Sequence, residues 1–590
     1  MYKAPVDSIV FTLQQISGLG DILGQGRFSD LTADVAEAVL SEAARFAEGE
    51  LAPLAEIGDT TGARLADGAV RTPDGWAAAY HAWTSGGWAS LTAPEEFGGQ
   101  ALPHMLLVAT LEMWNSACMA FALCPTLTIG AIEALEAHAS DELKARYLPK
   151  MVSGEWTGTM NLTEPQAGSD LGALRSRAER HDDGSYRIFG QKIYITYGEH
   201  DMTDNIVHLV LARLPDAPAG SRGISLFLVP KFLVSDDGSL GDRNDVYCHS
   251  LERKLGIHGS PTCTMIYGDG RFGDGSGAVG WLVGEENKGL AHMFTMMNNA
   301  RLLIGIQGVA LCEAATQKAT AFARERRQGR APGWAGDGMS PIIEHPDVAR
   351  TLLTMRALTD GSRAIAFACA HALDMSHVVG DETKRFWQER ASLLTPVAKA
   401  FATDAGVDVA SMGLQVHGGM GFIEETGAAR LLRDARIAPI YEGTNGIQAI
   451  DLVGRKLPLS GGDNVRAFLA EMRETAAEVG RSNRPGFGRT AEKLDAAITD
   501  LEQSTEWLLS AVAAGQMQAA LSGATPYLRQ FGLTLTGVYL ARGGLAEAGG
   551  DTHIALSRFA AENLLPETAA LRERVVGGAE SLAAARRILA

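Results

Sequence analysis

The spacing of apolar residues changes period twice along this chain, and that change limits its fold more than any other feature. Between about 30 and 150, apolar residues recur at three- and four-residue steps, as in Ala36, Val39, Leu40, Ala43, Phe46 and Ala47. That is the spacing of helices with one buried face. A Pro/Gly-rich stretch at 93–100 interrupts it, and 106–122 then reads as another buried helix. Near 156 short β-rich runs take over, at 186–188, 192–196, 206–211 and 224–229, with Asp182-Asp183-Gly184-Ser185 as a hairpin turn. The helical period returns near 285, and 289–326, 346–370 and 383–412 read as long helices. Breakers at 456–462 mark a linker, and 463–590 is Ala-rich, amphipathic and helical.

A chain of 590 residues is too long for one core. The expected organisation is multidomain α+β: an N-terminal extension 1–34, a helical domain 35–155, a small antiparallel β domain 156–278, a helical domain 279–455 and a helical C-terminal extension 463–590. No run of about 18 apolar residues stands out as a membrane span, and the start lacks the pattern of a secretory signal. A cytoplasmic protein without membrane contact is expected. The net charge of −18 disfavours nucleic acid as a partner. Cys118, Cys124, Cys248, Cys263, Cys312 and Cys369 are scattered, as expected of reduced, buried thiols. No metal-ligand spacing is present. Gly268-Asp269-Gly270-Arg271-Phe272-Gly273 fits GxGxxG, but more turn residues follow it. A dinucleotide fold needs a helix there, whose N-terminus holds the pyrophosphate.

Three segments are chemically suggestive, and each has a plain alternative. Met160-Asn161-Leu162-Thr163-Glu164-Pro165-Gln166-Ala167-Gly168-Ser169-Asp170 is an irregular loop whose N–H groups and hydroxyls suit the polar edge of a flat heterocycle. It reads equally as an ordinary loop entering the β domain. In Lys192-Ile193-Tyr194-Ile195-Thr196, period two puts Tyr194 and Thr196 on one face, against a ring or simply against a neighbouring strand. In Pro439-Ile440-Tyr441-Glu442-Gly443-Thr444-Asn445, Pro439 ends a helix and Thr444 or Asn445 caps the next. Glu442 then sits on the connecting loop. It is either a solvated glutamate or, in apolar surroundings that raise its pKa, a base.

Together with Gln415-Val416-His417-Gly418-Gly419-Met420-Gly421-Phe422, these segments, in this order, resemble the acyl-CoA dehydrogenase family over about 35–455. The resemblance implies an antiparallel β-barrel between two helical domains, bound FAD, and oxidation of an acyl-CoA thioester to the trans-2-enoyl-CoA. It implies Glu442 as the catalytic base. It places Met160, Leu162, Thr163, Ser169, Tyr194 and Thr196 against the flavin. Arg326 then reaches the pyrophosphate, and Gln415, Gly418, Gly419 and Thr444 meet the adenosine side across a homodimer interface. Ser169, Asn298, Arg301, Tyr441 and Gly443 fall at the substrate, with Arg301 and Arg326 otherwise surface helix charges. An electron-transfer flavoprotein is the implied electron acceptor. Gln328, His417, Gly446 and Asn298 depart from the common family residues and put individual contacts in doubt. The opening residues and the C-terminal extension are similar to a bacterial subgroup acting on 3-(methylthio)propanoyl-CoA in dimethylsulfoniopropionate degradation, with 3-(methylthio)acryloyl-CoA as product. The alternatives are a short- or medium-chain dehydrogenase of other substrate, a DNA-associated flavoprotein of the same superfamily, and a noncatalytic FAD-binding scaffold.

Overall fold

The structure, a computed structural model, describes residues 2–589, the side chains of Asn298 and Asn299 excepted. The expected substrate contact of Asn298 therefore lies outside the described residues. The chain divides into two compact units, one of Met1–Ala44, Pro103–Ser116 and Arg301–Ala590, the other of Arg45–Leu102 and Ala117–Ala300.

The second unit is built on an eight-stranded sheet. Its order is Val246–Leu251, Thr262–Tyr267, Tyr186–Thr196, Ala278–Leu282, Ser225–Pro230, Asn205–Ala212 and Trp156–Asn161, with Arg177–Arg180 also paired to Tyr186–Thr196. Asn205–Ala212 and Ser225–Pro230 are buried at every position, so both faces of the sheet are covered there. Thr159 Oγ1 on the edge strand donates to Thr196 C=O at 2.7 Å, across three intervening strands in the sheet order, so the sheet curls on itself. One pairing departs from the antiparallel expectation: Trp156–Asn161 runs parallel to Asn205–Ala212. The long excursion between them supplies the crossover that a parallel pair needs. The last strand, Ala278–Leu282, reaches past the expected end of the β domain.

The expected runs at 186–188 and 192–196 are one strand, Tyr186–Thr196, carrying a bulge. Cys263 pairs with Ile195 and Met265 with Lys192, so one residue opposes two, and Tyr194 takes φ +61°. Lys192 and Ile195 are both buried, three residues apart rather than two. A small hairpin, Arg64–Ala66 with Ala69–Arg71, turns at Asp67-Gly68 inside the region expected to be helical. Three-residue strands are too short to register as a period. The GxGxxG segment is a turn whose Gly270 and Phe272 N–H groups bind the Asp245 carboxylate at 2.7 and 3.0 Å, and no helix follows.

Helix His104–His138 leaves helical geometry at Cys118 (φ −156°, ψ 87°), next to the boundary between the two units. By length and composition it could cross a membrane, but 94% of its most apolar window is buried in the structure. All six cysteines are buried and free, and no group of metal-ligating side chains occurs among the described residues.

The first unit is helical. Pro346–Val378 and Asp381–His417 form a long hairpin beside the helix that ends at Glu325. Glycines let the latter approach closely. A Cβ on Gly305 would meet Ala398 C=O at 2.6 Å, and one on Gly308 would meet Ala402 C=O at 2.3 Å. The N-terminal segment packs here too: Arg363 Nη1 donates to Ser8 Oγ, while its Nη2 holds the buried carboxylates of Glu112 and Glu313 at 2.6 and 2.8 Å. Beyond 462, the buried helix Ala524–Leu545 lies against the hairpin, with Thr536 packed on Gly361 and Phe401 packed on Gly532.

Candidate active site

Each unit carries one cluster of the expected residues. In the helical unit, helix Ala428–Ala435 ends and residues 436–444 turn back into helix Asn445–Asp451. Thr444 is the N-cap, its side chain accepting from Ile447 N–H at 3.2 Å, and Asn445 N–H closes the loop onto Pro439 C=O at 3.0 Å. Glu442 occupies φ +54° and Gly443 φ +85°. A left-handed non-glycine residue costs on the order of 1–2 kcal/mol, so the surroundings must enforce it.

Those surroundings are polar and buried. Lys399, fully buried on helix Asp381–His417, donates from Nζ to Gly443 C=O at 2.9 Å and to Asn445 Oδ1 at 2.8 Å. Asn445 Nδ2 donates to Asp404 Oδ1 at 2.7 Å. Gln448 Nε2 also reaches Gly443 C=O, at 3.3 Å, and Tyr441 Oη donates to Gln307 Oε1. Arg301 is 5% exposed and pairs with Asp451 at 3.4 Å, which rules out the surface-charge alternative. Burial pushes the half-buried Glu442 carboxyl above its ordinary pKa, against the opposing pull of Lys399 and Arg301. Burial lowers Lys399 to about 7, with Glu442 and Asp404 resisting and Arg301 assisting. Among the described residues, nothing accepts a hydrogen bond from the Glu442 backbone N–H. Arg326, Gln415, Gly418 and Gly419 are exposed, at the end of one helix and around the end of another.

In the β unit the loop after Trp156–Asn161 is pinned by a buried ion pair, Lys192 Nζ to Glu164 Oε1 at 2.8 Å. The Glu164 carboxylate also accepts from Arg175 N–H at 2.6 Å and Ser176 N–H at 3.0 Å. Burial raises this carboxyl, but Lys192 and the Arg175 N–H outweigh it and hold it at about 2. Lys192 Nζ donates to Leu162 C=O at 3.0 Å and Ile193 N–H to Thr163 C=O at 2.9 Å. Leu162 and Thr163 are thereby held beside the bulge, where Tyr194 is 60% exposed and Thr196 half-buried. Among the described residues the Thr163 and Thr196 hydroxyls have no partner. An aromatic face between open hydroxyls fits the isoalloxazine of FAD: a flat apolar ring with a hydrogen-bonding rim. Met160 is buried and Ser169 exposed.

Sequence reading missed Lys399 as a partner of the turn, Gln307 and Asp451 as its supports, and the Glu164–Lys192 pair. A lone lysine in Thr395-Pro396-Val397-Ala398-Lys399-Ala400-Phe401-Ala402 was a usable signal, because no other charged residue accompanies it in that apolar stretch.

Family models for the acyl-CoA dehydrogenase N-terminal, middle and C-terminal domains match residues 34–155, 159–269 and 287–457, and an acetyl-CoA dehydrogenase C-terminal-like model matches 468–586. The chain belongs to the acyl-CoA dehydrogenase family and is an FAD-dependent oxidoreductase. It is 46% identical, over 98% of its own length and 99% of the other's, to a 3-methylmercaptopropionyl-CoA dehydrogenase of Ruegeria pomeroyi. It is 33% identical, over 96% and 95%, to a butyryl-CoA dehydrogenase of Syntrophomonas wolfei. The fold is shared with Caenorhabditis elegans ACDH-11 solved with C11-CoA, at 20% identity and a TM-score of 0.76, covering 98% of this chain and 96% of that one.

Proposed function

We propose that this enzyme oxidises 3-(methylthio)propanoyl-CoA to 3-(methylthio)acryloyl-CoA, with Glu442 as the base. The observation that carries the chemistry is the Glu442 turn, a half-buried carboxylate raised by burial beside an unpaired N–H of its own backbone. The substrate reading rests on the relative that is 46% identical over nearly the whole chain.

An α-proton beside a thioester is weakly acidic, so its removal needs a placed base and a donor to the developing oxyanion. The Glu442 carboxylate takes that proton. The Glu442 N–H donates to the thioester oxygen, and loss of one such donor costs on the order of 3 kcal/mol of barrier. Bound FAD supplies the acceptor for the β-hydrogen and its electron pair. Leu162, Thr163, Tyr194 and Thr196 hold the ring, with Met160 behind and Ser169 at the loop tip. Arg326, Gln415, Gly418, Gly419 and Thr444 hold the pyrophosphate and adenosine side. Arg301, Tyr441 and Gly443 shape the acyl-CoA site. An electron-transfer flavoprotein removes the electrons. The enzyme acts in the cytoplasm as a homodimer, its second copy covering the exposed Met420, Phe422 and Ile423.

The test is anaerobic flavin bleaching by 3-(methylthio)propanoyl-, butanoyl- and octanoyl-CoA. The first is expected to give the highest limiting rate over Kd. A higher value for butanoyl-CoA would transfer the substrate assignment to the short linear chain named in the Syntrophomonas relative. In Glu442→Gln, FAD stays bound and bleaching is abolished; near-normal bleaching there refutes the base.

A further inference from the structure

The Lys399 ammonium has no solvent to hold it and spends two of its donors on the turn that carries Glu442. We propose that Lys399 is a positioning residue for α-proton abstraction: by clamping Gly443 C=O at 2.9 Å and Asn445 Oδ1 at 2.8 Å it holds the left-handed Glu442–Gly443 backbone that aims both the carboxylate and the Glu442 N–H. This rests on Glu442 being the base.

Three features make the clamp specific. A carbonyl at φ +85° in a glycine is free to swing unless something holds it, and the ammonium and Gln448 Nε2 both converge on it. Lys399 is itself fixed from behind, because Gly305 lets its helix approach so closely that a Cβ there would stand 3.3 Å from the Lys399 backbone nitrogen. The charged groups acting on the ammonium are Glu442 on the turn, Arg301 on the neighbouring helix and Asp404 on its own helix. Lys399, with Arg301, also pulls on the Glu442 carboxyl and favours its ionised form. A cation that clamps the backbone of a base and stabilises its anion changes where the base titrates, whereas a neutral filler of the same cavity does not.

The experiment uses the FAD-loaded enzyme and its Lys399→Met, Lys399→Gln and Lys399→Arg variants. Each is reduced anaerobically with saturating 3-(methylthio)propanoyl-CoA, and with butanoyl-CoA as a second probe, across pH 5.5–9. Lys399→Met is expected to lower the limiting rate of flavin reduction by roughly 100-fold, to change the apparent Kd less than about threefold, to move the Glu442 ionisation in the rate profile to higher pH, and to remove the fall in rate above about pH 7 that comes as wild-type Lys399 loses its proton. Lys399→Arg, which keeps the charge, is expected to recover a substantial part of the rate and the original acid limb of the profile. A wild-type limiting rate in Lys399→Met overturns the proposal. So does a rate loss with an unmoved pH profile and no rescue by arginine, since that pattern belongs to packing alone. If the methionine variant fails to hold FAD, the glutamine and arginine variants decide by the same criteria. Glu442→Gln run in parallel separates the two claims. Bleaching in that variant removes the base assignment, whereas its inactivity alongside unaffected Lys399 variants removes only the clamp.

Discussion

Residue by residue, the site depends on backbone conformation as much as on side-chain chemistry. Glu442 itself was legible, because a carboxylate between Ile440-Tyr441 and Gly443-Thr444 lies within a recognisable motif. Its left-handed conformation was not, since φ +54° at a glutamate follows from contacts that no local residue type announces. Gly443 shares that conformation, and a Cβ there would stand 2.7 Å from Gln448 Nε2. Gly443→Ala is therefore expected to retain FAD and lower the limiting rate of flavin reduction at least tenfold, measured by anaerobic stopped flow; an unchanged rate would mean that the turn tolerates a second backbone geometry. The pH dependence has a defined sign. Burial raises the folded pKa of Glu442, and the proposed base works ionised, so the reduction rate should climb with pH through a midpoint above that of an ordinary glutamate. A midpoint at or below the ordinary value would contradict the burial argument.

At the scale of elements, the long helices 289–326, 346–370 and 383–412 were readable because apolar residues repeat many times along them, and the observed spans Gly289–Glu325, Pro346–Val378 and Asp381–His417 overlie them. The parallel strand pair and the bulge at Tyr194 were not readable, because neither leaves a mark on period-two alternation in either strand alone. The bulge depends on the Glu164–Lys192 pair beneath it, an ion pair 3% and 0% exposed. Removing one partner of a buried pair strands the other, at about 3–5 kcal/mol. Lys192→Met is thus expected to lower the melting temperature of the apoprotein and weaken FAD retention, seen by calorimetry and by flavin released on gel filtration. The acid limb follows from the same pair. Glu164 is depressed from 4.5 to about 2, so its stabilising contribution is fully present above pH 4.5 and is lost as pH falls toward 2. Between pH 4.5 and 2 the gap in stability between wild type and Glu164→Gln should shrink; a constant gap would show that the charge contributes nothing.

For the whole molecule, the sequence showed that 463–590 is helical but not what it does, because an amphipathic helix does not name its partner. The structure places Ala524–Leu545 in the core of its unit, against the hairpin that carries Lys399. A chain stopped after Gly462 should consequently aggregate or fail to load FAD instead of behaving as a compact short-chain dehydrogenase. Soluble, FAD-loaded and active truncated protein would show that the extension is dispensable. Net charge also acts at this scale. With −18 overall, the enzyme is expected to leave duplex DNA unshifted at physiological ionic strength, and a salt-sensitive shift would revive the DNA-associated reading.

The seam where Gly305 and Gly308 meet the carbonyls of Ala398 and Ala402 has a practical outcome for anyone mapping this enzyme by random substitution. Bulk added at either glycine would pry apart the rods on which the lysine stands, and turnover would fall although the new atoms face only main chain. Such a map would score two inert scaffold positions alongside the carboxylate proposed to take the proton.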